Sequence, residues 1–207
     1  KEQTKFSIFI HAPFKVQIED ADNKNTPSIV FQARFKNTAI DTEYSCLAMF
    51  GGDSDHTSWE VIVEKTEKKK NNQTQKALDW DLFLAPHHCS WSFFNDTPQS
   101  EHPEPKENSL KVLDYKRNKA IVIASCKEII DNDSNPPHYQ AKQQYVKKVG
   151  KDKFLNTDTD EVKDETPQPI EFTITSKGHS RPPKTTNSNS IGSAGGAGAA
   201  STVIKHG

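Results

Sequence analysis

Two stretches of the chain decide its fold: SCLAMFGGD at residues 45–53 and WDLFLAPHHCS at residues 80–90. Each is a short, mainly apolar run that leads into a turn, Gly51-Gly52-Asp53 in the first and Pro86-His87-His88 in the second. Apolar runs of this length, bounded by glycine or proline, are typical of buried strands. The segment between them is long enough for one helix, so we expect two neighbouring strands whose ends lie together.

Similar patterns recur along the chain. Apolar residues at helical spacing from Asp55 to Lys69 predict a helix capped by Thr57 or Ser58, and a second helix is predicted after Pro136-Pro137. Strands that alternate with helices predict a layered α/β domain. The predicted elements are strands within residues 5–18 with a break at Pro13, then over 28–35, 45–50, 80–85, 120–124 and 170–175, and helices over 55–69 and 139–149.

Composition divides the chain into a domain and a tail. Its 207 residues suffice for one core. From Ser176 the sequence shifts to Ser, Asn, Gly and Ala, which bury too little apolar surface to offset the entropy of ordering. We therefore predict a domain over residues 1–175 and a flexible tail over residues 176–207.

Charge and cysteine content exclude several classes of protein. The formal net charge is -1, so long-range attraction to nucleic acid is not expected, and the lysine clusters lie at predicted helix ends, where a solvated terminus explains them. No apolar run is long enough to span a bilayer. Three cysteines without a C-x-x-C pair argue against a zinc finger and suit reduced thiols. We expect a cytoplasmic protein without a membrane partner.

Asp53, His87 and His88 are the candidate chemical groups at the two strand ends. Taken alone, Asp53 reads as a turn or cap residue, and adjacent histidines read as surface groups. Imidazole is the commonest metal ligand in proteins, and a carboxylate can bind one ion or bridge two. Adjacent histidines diverge, so one of them is expected to bind the metal. The expected position of Asp53 and the histidine pair at one edge of the sheet favours a metal site.

A resemblance to a known family rests on four ordered segments. NTPSIV at residues 25–30, Gly52-Asp53, Pro86-His87-His88-Cys89-Ser90 and, further on, Ser125 with the stretch Asn135-Pro-Pro-His138 resemble the later half of ComEC-type metallo-β-lactamase domains. The likeness covers roughly residues 5–176. It implies a four-layer αββα sandwich, of which this chain would form mainly the C-terminal half.

The same resemblance implies roles for individual residues. Asp53 is implied as a bridging metal ligand, and His87 or His88 as a second ligand. Ser90, Ser125 and His138 are implied to meet the substrate, with His138 as an acid or, alternatively, a helix cap. Two zinc ions are the expected cofactors, with manganese as the alternative. The implied reaction is hydrolysis of phosphodiester bonds, as in a nuclease, with nucleic acid or a nucleotide as substrate.

Two departures from the family pattern stand out. Cys89 replaces a glycine, and we interpret it as a packed side chain rather than a ligand. The family's main ligand motif, His-x-His-x-Asp-His, is absent from the sequence. We expect an N-terminal half, in the same precursor or in a second chain, to supply it. The alternatives are a non-catalytic binding or assembly module of this fold, and amide or lactam hydrolysis at the same metal site.

Overall fold

One mixed sheet organises the molecule. The structure is a computed structural model that describes residues 4–14, 27–69, 76–132, 134–182 and 203–204. Six strands pair in the order β1-β2-β3-β4-β5-β6; β2 is antiparallel to both of its neighbours, β1 and β3, and β3 to β6 run parallel. These strands are β1 (Phe6–Ala12), β2 (Val30–Phe35), β3 (Cys46–Phe50), β4 (Trp80–Leu84), β5 (Lys116–Ala124) and β6 (Phe154–Asn156). The prediction of an α/β domain is confirmed.

Three α-helices cover one face of this sheet: α1 (His56–Lys68), α2 (Glu107–Asp114) and α3 (Tyr139–Val149). Each contributes buried side chains to a single core with that face. Aromatic rings form its centre, where Phe83 of β4 lies between Trp59 of α1 and Tyr145 of α3. Because α1 and α3 link parallel strands, the helices fix the order of the strands beneath them.

The opposite face carries a smaller apolar cluster. Part of it is covered by a three-stranded sheet in the order β10-β9-β11, in which Phe172 and Ile174 of β9 pack against the six-stranded sheet. A two-stranded hairpin precedes this small sheet. The remaining strands are β7 (Val162–Lys163), β8 (Thr166–Pro167), β9 (Phe172–Thr175), β10 (Gly178–Ser180) and β11 (Val203–Ile204).

Most predicted elements appear close to their predicted positions, with some corrections. Asp55, rather than Thr57 or Ser58, caps α1, since its Oδ1 accepts a hydrogen bond from the Ser58 amide at 3.1 Å. Helix α2 was not predicted because its three apolar residues follow a proline-rich segment that reads as a loop. The strand predicted after Pro13 falls mostly outside the described residues. Regular structure continues past residue 175 into β10.

Within the described ranges, no helix combines the length and apolar character needed to cross a bilayer.

His11 is a buried histidine that joins β1 to the chain before β4. Its Nε2 lies 2.9 Å from the carbonyl oxygen of Ala77, and its ring is buried beside Phe9. Burial lowers the pKa of His11 to about 4, although the bond to Ala77 opposes that shift. The imidazole is therefore neutral in the folded protein at neutral pH.

We expect His11 to make the stability of the folded protein sensitive to acid. The pKa of His11 is lower in the folded than in the unfolded chain, so protonation favours unfolding, and its contribution to stability falls as the pH drops from about 6.5 to about 4. The expected loss is roughly 3 kcal/mol. Urea denaturation across this range should be compared with His11→Gln, which can still donate to Ala77 but does not titrate. Parallel curves for the two proteins would contradict the assignment.

Candidate functional site

The carboxyl ends of three parallel strands bring the candidate residues to one edge of the sheet. Asp53 follows β3, the two histidines follow β4, and Ser125 follows β5. The pairing of Phe50 with Leu84, and of Leu84 with Ile123, aligns these ends. The predicted meeting of the first two turns is thus observed, and a third strand end joins them.

Two glycines let the turn after β3 pack closely against Pro86 of the turn after β4 and against Ile29 before β2. A Cβ atom on Gly51 would come within 2.5 Å of Pro86 Cγ, and one on Gly52 within 2.9 Å of the Ile29 carbonyl oxygen. Gly52 also has a left-handed φ of +54°. Its carbonyl oxygen accepts a hydrogen bond from the His87 amide at 2.8 Å. The backbone of each turn therefore holds the other in place.

The histidine turn is wound in the left-handed sense. His87, His88 and Cys89 have φ values of 48°, 55° and 64°, and the Ser90 amide closes the turn on the His87 carbonyl at 3.0 Å. Left-handed backbone costs about 1–2 kcal/mol per non-glycine residue. Such conformations persist where the surroundings enforce them, and they cluster at functional sites.

Cys89 anchors this turn to the core. Its side chain is fully buried, and its carbonyl oxygen accepts a hydrogen bond from the His138 amide at 3.0 Å. Burial raises the pKa of the Cys89 thiol well above its usual range. A buried, protonated thiol is a packing group, in keeping with the interpretation made from the sequence.

Asp53 and His88 face each other at the surface of this edge. Asp53 Oδ1 lies 3.6 Å from His88 Nε2, and both side chains are about half exposed. His88 Nδ1 lies 2.8 Å from the carbonyl oxygen of Ser125. Because a carbonyl oxygen only accepts, Nδ1 must donate, which leaves the lone pair of Nε2 on the side of Asp53 when the ring is neutral.

His87 lies apart from this pair. Its ring centroid is 6.4 Å from that of His88, and its Nδ1 is 3.1 Å from Ser92 Oγ. The Ser92 hydroxyl in turn contacts Ser90 Oγ at 2.9 Å, and Ser90 donates to Asn135 Oδ1 at 2.8 Å. A chain of polar contacts thus runs from His87 into the structure beneath the turn.

The three predicted substrate contacts occupy different places. Ser125 is exposed beside His88, and its carbonyl oxygen orients the His88 ring. Ser90 is buried and already hydrogen-bonded. His138 is buried against Trp91, and its Nδ1 accepts from the Gln140 amide at 3.2 Å, which makes it the cap of α3. The structure brings only Ser125 next to the Asp53–His88 pair.

The role of the Ser125 carbonyl was not foreseen. Sequence patterns identify candidate side chains, whereas this contact is made by a backbone carbonyl. It depends on the end of β5 lying next to His88 in the folded chain.

The donor chemistry fits part of a metal site. A carboxylate oxygen and an imidazole nitrogen, the latter oriented by a backbone carbonyl, are two ligands of the kind that zinc and manganese take. No group of three or more such side chains occurs in the ranges that the structure describes. An ion usually needs about three protein ligands, so these two residues do not complete a site.

No family model matches the sequence, and neither a curated protein nor a solved structure was found to be similar to it.

The first prediction from this site concerns the close approach at Gly52. Gly52→Ala should destabilise the protein by about 2 kcal/mol or more, because it adds a Cβ atom against Ile29 and places alanine at positive φ. Gly52→Asn is the matched variant, since asparagine tolerates left-handed backbone but still carries a Cβ. Urea midpoints should fall for both; an unchanged midpoint for Gly52→Asn would exclude the close approach.

The second prediction concerns the His88 ring. Neutral His88 should carry its proton on Nδ1, because that atom donates to the Ser125 carbonyl oxygen. Two-bond ¹⁵N–¹H correlation spectra distinguish the two tautomers, and the exposed His102 serves as the internal reference. A proton on Nε2 of His88 would contradict the arrangement described.

Proposed function

We propose that this chain is part of a metal-dependent hydrolase that cleaves phosphodiester bonds, with Asp53 and His88 as metal ligands. The observation that carries the proposal is the orientation of His88, whose Nε2 lies toward Asp53 Oδ1 while Nδ1 is engaged by a backbone carbonyl. Ligand histidines in proteins are oriented in the same way, by a partner on the other ring nitrogen. The strained turn that presents His88 is further support.

We propose a separate role for each residue at this edge of the sheet. In the proposed site Asp53 and His88 would hold the metal, and His87 would support the turn or bind in place of His88. Ser125 is the proposed substrate contact because it is exposed beside His88. Ser90 and His138 are buried and hydrogen-bonded. We propose that Ser90 holds the histidine turn and that His138 holds the start of α3. Bound zinc, or manganese, would supply a hydroxide nucleophile at neutral pH and stabilise the leaving oxygen.

A cleft next to this edge is a suitable place for substrate. It has a volume of about 510 Å³, and its lining comes from residues 125–127 after β5, Thr157 and Asp158 after β6, and residues 167–169 at the end of β8. Lys127 is exposed there and can meet a phosphate oxygen. A nucleotide or nucleic-acid strand is therefore the proposed substrate class; the same metal chemistry would also act on an amide or lactam.

The remaining ligands are proposed to come from an N-terminal half, in the same precursor or in a second chain. Together the two halves would form the four-layer αββα sandwich. This proposal is supported by the helices, which contribute to the core on one face of the six-stranded sheet.

A non-catalytic module of the same fold is the second candidate. The observation that favours it is the presence of only two suitable ligands in the described part of the site.

Metal content and phosphodiesterase activity of the complete protein test the proposal. Asp53→Ala and His88→Ala should each lose activity by about 100-fold or more and bind less metal, because each removes a ligand. His102→Asn is the control. His102 is exposed and lies away from the strand ends, and asparagine tolerates the left-handed backbone at this position. Bis-p-nitrophenyl phosphate, DNA and a lactam should be compared as substrates.

If wild-type complete protein contains no metal and cleaves none of these substrates, the non-catalytic module is correct. If Asp53→Ala keeps full activity, the assigned ligands are wrong.

A further inference from the structure

A second cleft lies at the opposite edge of the six-stranded sheet from Asp53 and His88. Its walls are the chain before β3, the amino ends of β4 and β5, and the turn that leads from β9 into β10. The volume is about 770 Å³, which is the size of a small-molecule site and more than a single ion needs. We call it the amino-end cleft, and its lining is formed by residues 40–45, Asp81, residues 117–119 and residues 176–179.

A bulge in β5 brings two cationic residues to this cleft. Between two consecutive paired positions β4 has one residue, Asp81, whereas β5 has four, residues 117–120. Lys119, within this bulge, has a left-handed φ of 66°. Bulges redirect side chains and are common next to functional sites, where strained backbone also clusters. The irregular part of β5 is the part that supplies Arg117 and Lys119 to the cleft.

The guanidinium of Arg117 is only partly used by the protein. Its Nη1 donates to Asp81 Oδ2 at 2.9 Å and to the carbonyl oxygen of Tyr44 at 3.2 Å. Within the described ranges its Nε and Nη2 donate to no residue, and the side chain is partly exposed. A guanidinium with unused donors on a cleft is well suited to bind an oxyanion.

The cationic groups on the cleft outnumber the carboxylates that could neutralise them. Each carboxylate there already has a partner, in the pairs Asp81–Arg117, Glu43–Lys76 and Asp41–Thr38. Lys119 and Lys177 are exposed, and neither forms an ion pair with any residue that the structure describes. Two ammonium groups therefore remain beside the unused donors of Arg117.

His179 of β10 shows that the electrostatic field at this cleft is positive. Burial lowers the pKa of His179, although the nearby Lys119 backbone opposes that shift. The positive charges of Lys119, Arg117 and Lys153 lower it further. The first two residues belong to β5 and the third precedes β6, so cations surround this histidine from two elements. An anion bound in the cleft would offset their field.

We propose that the amino-end cleft binds a phosphate group, either as free phosphate or as part of a small phosphomonoester, through Arg117, Lys119 and Lys177. A phosphate group carries nearly two negative charges and at least three acceptor oxygens, which match three cationic side chains. A carboxylate offers one charge and two oxygens. This site is separate from the proposed metal site and does not depend on it.

The other polar groups on the cleft suit a hydroxylated organic part. They are hydroxyl and amide side chains that can both donate and accept hydrogen bonds: Thr42, Ser45, Asn118 and Ser176.

Titration of the full chain, followed in ¹H–¹⁵N correlation spectra, tests the proposal. Inorganic phosphate and ribose 5-phosphate are the two probes, and the one with the lower Kd identifies the form of phosphate that the cleft prefers. The backbone amides of Ser45, Lys177 and Gly178 should shift saturably. The same shifts are expected for Asp53→Ala in EDTA, because that background removes binding at a metal site.

Two charge-removing variants identify the contacts. Lys119→Asn and Lys177→Gln should each raise the Kd for phosphate by about tenfold, because each removes one charged contact. Asparagine tolerates the left-handed backbone at position 119. Lys163→Gln is the matched control, since Lys163 is exposed on β7 and outside the cleft, and its Kd should equal that of the wild type.

The ring resonances of His179 provide an independent readout. Its pKa should rise when phosphate saturates the cleft, because the bound anion offsets the charges of Lys119, Arg117 and Lys153.

Four results would overturn the proposal: no saturable shift with either probe, the same shifts with acetate at equal ionic strength, a Kd that neither lysine variant changes, or a His179 pKa that phosphate does not raise. Loss of the shifts in Asp53→Ala with EDTA would assign phosphate binding to the metal edge instead. That result would refute the amino-end cleft and leave the proposed function intact.

Discussion

The contact between the turns after β3 and β4 is the constraint on which the site depends. The His87 amide donates to the Gly52 carbonyl, and Gly51 lies against Pro86 at a distance that leaves no room for a side chain. This contact fixes where Asp53 and His88 project. It also explains why the histidine turn tolerates three consecutive left-handed residues, because the hydrogen bond to Gly52 and the burial of Cys89 hold both of its ends.

A buried charged residue, Asp81, links the amino ends of β3, β4 and β5. Asp81, near the start of β4, accepts hydrogen bonds from the Leu47 amide at 2.8 Å and from Arg117 Nη1 at 2.9 Å. Burial raises the pKa of Asp81, while these two donors favour its ionised form. A buried carboxylate with such partners is costly to separate from them. The register of β3, β4 and β5 is therefore fixed at both ends. This register aligns the strand ends that carry the residues of the candidate site.

The two faces of the six-stranded sheet are covered to different extents. The helices bury Trp59, Phe83 and Tyr145 in one core, while Phe6, Ile8 and Ile10 stay exposed on the opposite face. The exposed part of that face adjoins the turn that carries Asp53, since the carbonyl oxygen of Ile29 lies against Gly52.

The amino-acid sequence by itself determined the buried strands, the helices α1 and α3, and the proximity of Asp53 to the histidine pair. These follow from local patterns: apolar runs, glycine and proline at strand ends, and the rule that parallel strands end at one edge. Only the tertiary structure decided that His88 rather than His87 faces Asp53, since the choice depends on the left-handed turn and on the Ser125 carbonyl. The burial of Ser90 and His138 and the exposure of β1 were likewise decided by packing, because they depend on which distant segments cover each face.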